Sequence, residues 1–173
     1  MKIILLRHGK TLGNEKKRYV GRTDEPLSEL GKVELKDTKR KIQTILKKES
    51  EGQGRILEHP FKIYVVSSPM LRCRETAKEI FSSLPKEPQE VFIPDGIEKT
   101  MAFWNIEEEL RECDFGIFEN KNYLELSTEP RYQQWIDSNG TMDFPEGESL
   151  QHFKERSVAA FCQHVKVAME QEQ

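Results

Sequence analysis

The chain has 173 residues, 36% hydrophobic and 33% charged, which suits one domain, and nine Phe, four Tyr and two Trp give it core enough to exclude wholesale disorder. Lys and Arg number 27 against 30 Asp and Glu, a formal net charge of −3, so the basic excess of a dedicated nucleic-acid binder is missing. Cys73, Cys113 and Cys162 are odd in number and far apart, which speaks against a disulfide framework or a zinc site and fits a reducing compartment.

Residues 2–6 (KIILL) form a short apolar run that reads as a central strand of a parallel sheet. The run stops at Arg7, too short for a signal peptide, and no stretch approaches the ~20 apolar residues of a membrane span. A soluble cytoplasmic protein without a membrane partner is therefore expected. Residues 7–27 mix Gly, Asn, Asp and Pro with charges and read as loop. Ser28 is a candidate N-cap for a helix in which Leu35, Thr38, Ile42, Ile45 and Leu46 recur at helical spacing up to about Glu49. Residues 50–54 (SEGQG) read as a surface turn. Residues 61–66 (FKIYVV) read as a second buried strand running into Ser67-Ser68-Pro69, and a helix follows from about Leu71 with Thr76, Ala77, Ile80, Phe81 and Leu84 inward. Pro85 and Pro88 close it, and residues 90–93 (EVFI) read as a third strand. This β-α-β-α-β order predicts parallel strands with right-handed crossovers.

From 94 to 119 the pattern breaks into short pieces, and residues 100–106 carry no readable periodicity; Phe103 and Trp104 there read as core rather than substrate platform. Helices are expected over residues 123–127 and 132–138, separated by Pro130, with a loop over 140–147. Residues 148 to about 170 give the clearest helix, with Leu150, Phe153, Ser157, Phe161, Val165 and Ala168 on one face. Neither repeat nor linker interrupts the sequence, so a single domain over 1–173 is expected.

In an open parallel α/β sheet, ligands collect at the carboxyl ends of the strands. Three polar clusters fall there: Arg7-His8-Gly9-Lys10-Thr11 with Asn14, Ser67-Ser68-Pro69-Met70-Leu71-Arg72, and Leu110-Arg111-Glu112-Cys113-Asp114-Phe115-Gly116. Separately each has a bland reading: a solvated loop, a surface charge near a helix start, a glutamate paired with any lysine. Together, a neutral imidazole, two guanidiniums and a carboxyl are the parts that phosphoryl transfer needs.

LLRHGKT, YVGRTDEPLSELG, SSPMLRCRETA, LRECDFGIFE and FPEGESLQHFKER occur here in the order seen in the histidine phosphatases, the superfamily that includes cofactor-dependent phosphoglycerate mutase, and the chain resembles that family from Met1 to about Arg156. Its second block is most similar to the α-ribazole phosphatase branch. The resemblance implies a three-layer α/β/α fold with a mostly parallel central sheet, phosphoglycerate mutase-like. It implies His8 as nucleophile, forming a phosphohistidine, and Gly9 for close backbone approach. Arg7 and Arg72 would grip the phosphate oxygens, and Thr11 and Asn14 would complete the cradle. Glu112 would protonate the leaving oxygen and then deprotonate the attacking water. Neither metal nor cofactor enters this scheme, because the arginines supply the positive charge. Gly21 matches a family glycine near the substrate; Arg22 and Thr23 beside it read equally as substrate contacts or as a turn with an exposed arginine. Lys10 replaces a common acidic residue, adding a cation at the mouth or standing in solvent. Gly147-Glu148-Ser149 reads as structural, with Ser149 or Glu148 capping the last helix.

The family's second histidine, in an HG dipeptide after a later strand, has no counterpart among these 173 residues; His59, His152 and His164 are not followed by Gly. The fold is accordingly expected to be short of its C-terminal strand or strands, through truncation or as a natural short form. Loss of that phosphate donor predicts low activity, and an open strand edge invites strand exchange or a homodimer. The implied function is hydrolysis of a small phosphorylated metabolite, with α-ribazole 5'-phosphate in cobalamin biosynthesis as the finer expectation. Phosphoglycerate mutase and an inactive phospho-ligand binding module are the alternatives.

Overall fold

The structure, a computed structural model, describes residues 1–52, 61–93 and 100–171. In chain order its elements are α1 (Leu12–Glu15), α2 (Glu29–Gly52), β1 (Phe61–Ser67), α3 (Leu71–Ile80), β2 (Glu90–Ile93), β3 (Thr100–Ile106), short 3-10 turns at Glu108–Leu110 and Gly116–Phe118, α4 (Pro130–Asp137) and α5 (Leu150–Gln171). The α/β class holds. Among the described residues the sheet runs β1-β3-β2: β1 and β3 are parallel, with Phe61 opposite Thr100 and Ser67 opposite Ile106, and β2 is an antiparallel edge with Val91 opposite Ala102.

β3 is the central strand, and periodicity missed it for a physical reason. Its buried face is Thr100, Ala102 and Trp104 at 2%, 0% and 3% exposure, so burial alternates while apolarity does not. With Ala77 and Leu84, Ala102 and Trp104 form one core cluster, onto which Ile63, Val65, Phe81, Val91 and Ile106 pack. Trp104 is thus core, as its composition suggested, and Phe103 stacks on Tyr64 across the parallel pair. The second cluster, Cys113, Phe118, Leu126, Tyr132 and Phe144, lies under the loops that follow β3 and is edged by Tyr19, Phe115 and Trp135.

Residues 2–6 do not join the sheet. Ile3, Ile4, Leu5 and Leu6 are exposed, Leu5 at 81%, and the segment has no strand assignment. An apolar run becomes a central strand only when neighbours complete its ladder and layers cover both faces; here β1 pairs with β3 instead. The 90–93 strand, expected to be parallel, is antiparallel. Residues 123–127 form a turn rather than a helix, because Asn122 Oδ1 accepts the Leu124 and Glu125 N–H groups and Glu125 Oε2 accepts that of Asn122. α2 continues through residues 50–52, expected as turn; residues 53 and 54 and His59 lie outside the described residues.

The helix starts follow their caps. Ser28 Oγ accepts the Gly31 N–H at 3.0 Å to open α2, and Ser149 Oγ accepts the His152 N–H at 3.1 Å to open α5. Glu148 serves otherwise, as described below. Among the described residues no helix is long and apolar enough to cross a membrane.

Candidate active site

The approach of residues 2–7 ends at His8 and Gly9, and a short hydrogen-bond chain ties this backbone to α3. The Gly9 N–H donates to Thr76 Oγ1 at 3.0 Å, and that hydroxyl donates to the Arg72 carbonyl at 2.7 Å. His8 Nδ1 lies 2.7 Å from the Gly9 carbonyl. A carbonyl only accepts, so Nδ1 carries the proton and Nε2 keeps its lone pair in the neutral ring. Burial, the largest influence, pushes His8 below its ordinary 6.5; the bond to Gly9 raises it, Arg72 and Arg7 lower it, and Glu112 raises it. The imidazole is therefore neutral at pH 7, with Arg72, Arg7 and Glu112 all within electrostatic reach of it.

Arg72, in the first turn of α3, is 1% exposed. Its Nη1 donates to the Thr23 carbonyl at 3.0 Å and its Nη2 to the carbonyls of Gly21 at 2.8 Å and Val20 at 3.3 Å, while Nε is buried without a partner. The carbonyls belong to the loop that Glu119 holds from its other side. Glu119 Oε1 accepts the N–H groups of Arg22 (2.8 Å) and Phe115 (3.1 Å), and Oε2 those of Gly21 (3.3 Å) and Thr23 (3.3 Å) with the Thr23 hydroxyl at 2.7 Å. Gly21 must be glycine here, because a Cβ would overlap Glu119 Oε1 and the Cys113 carbonyl.

Glu112 is half-buried, its Oε1 accepting the Cys113 N–H at 2.9 Å. Arg156, from α5, fixes the backbone around it: Nη1 donates to the carbonyls of Glu109 (2.6 Å) and Arg111 (2.8 Å) and Nη2 to that of Glu112 (3.2 Å). The same guanidinium forks onto Glu148, at 2.6 and 2.7 Å, and those bonds chiefly hold the Glu148 carboxyl down to about 2. His152 Nδ1 adds a contact to Glu148 at 2.8 Å.

The other expected residues fall as follows. Arg7 is exposed and pairs with no carboxylate among the described residues. Thr11 is fully buried and forms a capping box with Asn14, each side-chain oxygen accepting the other's backbone N–H at 3.2 Å. This leaves the Thr11 hydroxyl proton and the Asn14 amide donors for a ligand. Arg22 stands 3.7 Å from Asp114 and 3.5 Å from Glu148, between two carboxylates. Lys10 pairs with Glu34 on α2 at 2.7 Å. His164, expected on the helix surface, is half-buried against Glu107 at 2.8 Å. Sequence reasoning missed Thr76, Glu119 and Arg156 as parts of this assembly, and it took Glu148 for a cap. Thr76, Glu119 and Arg156 act on backbone groups, for which sequence spacing carries no signal, and Glu148 acts through Arg156. Among the described residues no group of three or more His, Cys, Asp or Glu is placed to hold a metal ion.

The α/β fold, with His8 tied through Thr76 to the first turn of α3 and within electrostatic reach of Arg72, Arg7 and Glu112, is matched by known proteins. The chain belongs to the histidine phosphatase superfamily, branch 1, whose family model matches residues 3–92 and 95–172. Among curated proteins it is 29% identical over 164 residues to the protein named "Probable phosphoglycerate mutase GpmB" of Yersinia pestis (strain Pestoides F), covering 92% of this chain and 61% of that one. The alpha-ribazole phosphatase of Shigella flexneri shares the fold, with a TM-score of 0.61 at 22% identity over 95% of this chain and 67% of that one. TTHB049 of Thermus thermophilus gives a TM-score of 0.52 at 27% identity over 87% of this chain and 65% of that one. The chain thus spans about three fifths of the length of the curated relatives it matches.

Proposed function

We propose that the protein is a phosphomonoesterase that hydrolyses a small phosphorylated metabolite through a phosphohistidine at His8. The observation that carries this reading is the neutral His8 with its proton on Nδ1, in reach of two arginines and a glutamate. Nε2 attacks phosphorus, the P–N bond forms as the bond to the ester oxygen breaks, and Glu112 gives its proton to that oxygen. Water then attacks phosphorus, Glu112 takes back a proton, the P–N bond breaks and inorganic phosphate leaves. Arg72 Nε–H and the Arg7 guanidinium steady the charge on the equatorial oxygens in both steps. Thr11, Asn14, Gly21 and Arg22 are the remaining substrate contacts of this reading. Within this class α-ribazole 5'-phosphate, a compound of cobalamin assembly, is the first substrate to test, on the wording of residues 19–31 and the fold shared with the Shigella flexneri protein. The arginines replace a metal ion, so turnover survives EDTA, and the enzyme works in the cytoplasm.

Phosphoglycerate mutase is the second reading, favoured by the curated relatives' name. Trapping separates the two. A labelled phosphomonoester is expected to leave an acid-labile, base-stable adduct that His8→Ala abolishes. Chase of the label into water supports the phosphatase, and chase into a phosphoglycerate supports the mutase. A ligand bound without any adduct would leave a binding module and remove both.

A further inference from the structure

We propose that Glu119 is a positioning residue for phosphate capture, acting through the peptide groups of residues 20–23 on the Arg72 guanidinium. This rests on the proposed role of Arg72 as a phosphate donor. The geometry is a relay. In the peptide unit joining Val20 to Gly21, the carbonyl accepts from Arg72 Nη2 at 3.3 Å and the N–H donates to Glu119 Oε2 at 3.3 Å. In the next unit, the Gly21 carbonyl accepts from the same Nη2 at 2.8 Å and the Arg22 N–H donates to Glu119 Oε1 at 2.8 Å. Two successive peptide dipoles are therefore strung between one anion and one cation, each polarised at both ends. Thr23 closes the clamp: its N–H and hydroxyl go to Glu119 Oε2, and its carbonyl goes to Arg72 Nη1.

This arrangement decides how Arg72 can act. Its two terminal nitrogens are held by the loop, and Nε is the buried nitrogen without a partner. Remove the carboxylate and the loop N–H groups lose their common acceptor, so the carbonyls turn and the guanidinium loses its seat. Gly21 belongs to the same device, since any larger residue would push the carboxylate away.

The test pairs Glu119→Gln, which keeps the shape and removes the charge, with Arg72→Ala and the double variant. Two readouts are taken: the affinity for orthovanadate by calorimetry, and the titration midpoint of the His8 ring by NMR. Glu119→Gln is expected to weaken vanadate about tenfold to hundredfold, the scale of hydrogen bonds to a charged group. It is also expected to move the His8 midpoint upward, because Arg72 helps to hold it down. In the Arg72→Ala background both effects should vanish, whereas a merely structural glutamate would cost the same in either background. Equal effects in both backgrounds, or an unchanged His8 midpoint in Glu119→Gln, overturn the proposal. If the wild-type protein does not bind vanadate, the phosphatase reading fails and the His8 titration still decides this one. Should Glu119→Gln fail to fold, Thr23→Val, which removes one hydroxyl donor, is expected to weaken vanadate about twofold to tenfold; an unchanged affinity there also overturns the proposal.

Discussion

Arg156→Met separates the structural ion pair from the chemistry beside it. Arg156 and Glu148 have side chains only 8% and 4% exposed and meet through two short bonds. Taking away the guanidinium leaves a buried carboxylate with the backbone of Asp114, the exposed His152 and the more distant Arg22 for company, and it frees three backbone carbonyls at Glu109, Arg111 and Glu112. Breaking a buried pair on one side costs about 3–5 kcal/mol. Linkage gives an independent figure. The Glu148 carboxyl falls from 4.5 to about 2, which corresponds to about 3 kcal/mol of stability. A lowered carboxylate contributes that stability above its unfolded value of 4.5 and loses it as pH falls towards 2. Urea unfolding of wild type and variant between pH 7 and pH 3 should therefore show a gap of about 3 kcal/mol at pH 7, equivalent to about 10 °C in Tm for a domain of this length. The gap should shrink through the acid range, because the wild type loses what the variant never had. A gap that stays constant from pH 7 to pH 3 refutes the reasoning.

Three further outcomes follow from the same geometry. Thr76→Val leaves the buried Gly9 N–H without its acceptor and should cost about 1–3 kcal/mol in chemical denaturation, with the adduct forming more slowly at His8. Gly21→Ala forces a Cβ against Glu119 and the Cys113 carbonyl and should cost about 1–3 kcal/mol by the same measurement. Adduct formation requires neutral His8, whose pKa burial lowers, so its rate should rise with pH through an acid limb centred below 6.5; quenched-flow labelling that finds the limb above 6.5 contradicts this.

How much of this could be read from residues alone depended on whether burial and chemistry coincided. β1 and α3 were legible because apolar side chains lie on the faces that pack, as Ala77 and Ile80 do on α3. β3 was illegible because Thr100, Ala102 and Trp104 share a face without sharing hydropathy. The 2–6 run failed in the opposite sense: it is apolar from Ile3 to Leu6 yet stands exposed there, since composition reports what a segment could bury and not whether a partner is there to cover it. Of the candidate site, motif order proposes His8, Arg7, Arg72 and Glu112. What could not be foreseen is that Arg72 directs its terminal nitrogens to carbonyls of residues 20, 21 and 23, leaving Nε unused. Thr11 and Asn14 likewise turn out to bond each other's backbone.

The arrangement also bears on a problem that the proposed cationic phosphate site would set for itself. Guanidiniums that attract the substrate repel a protonated histidine, which favours the reactive neutral ring, but the same charges strain the fold unless anions balance them. The balance is not made at His8, the proposed nucleophile. Glu119 faces Arg72 through peptide groups, whereas Glu148 grips Arg156 directly. Glu119 thereby fixes residues 20–23, and Glu148, through Arg156, fixes the carbonyls of Glu109, Arg111 and Glu112 while also standing 3.5 Å from Arg22. Glu112 is placed differently: its Oε1 takes only the N–H of the next residue, and no arginine forks onto it among the described residues.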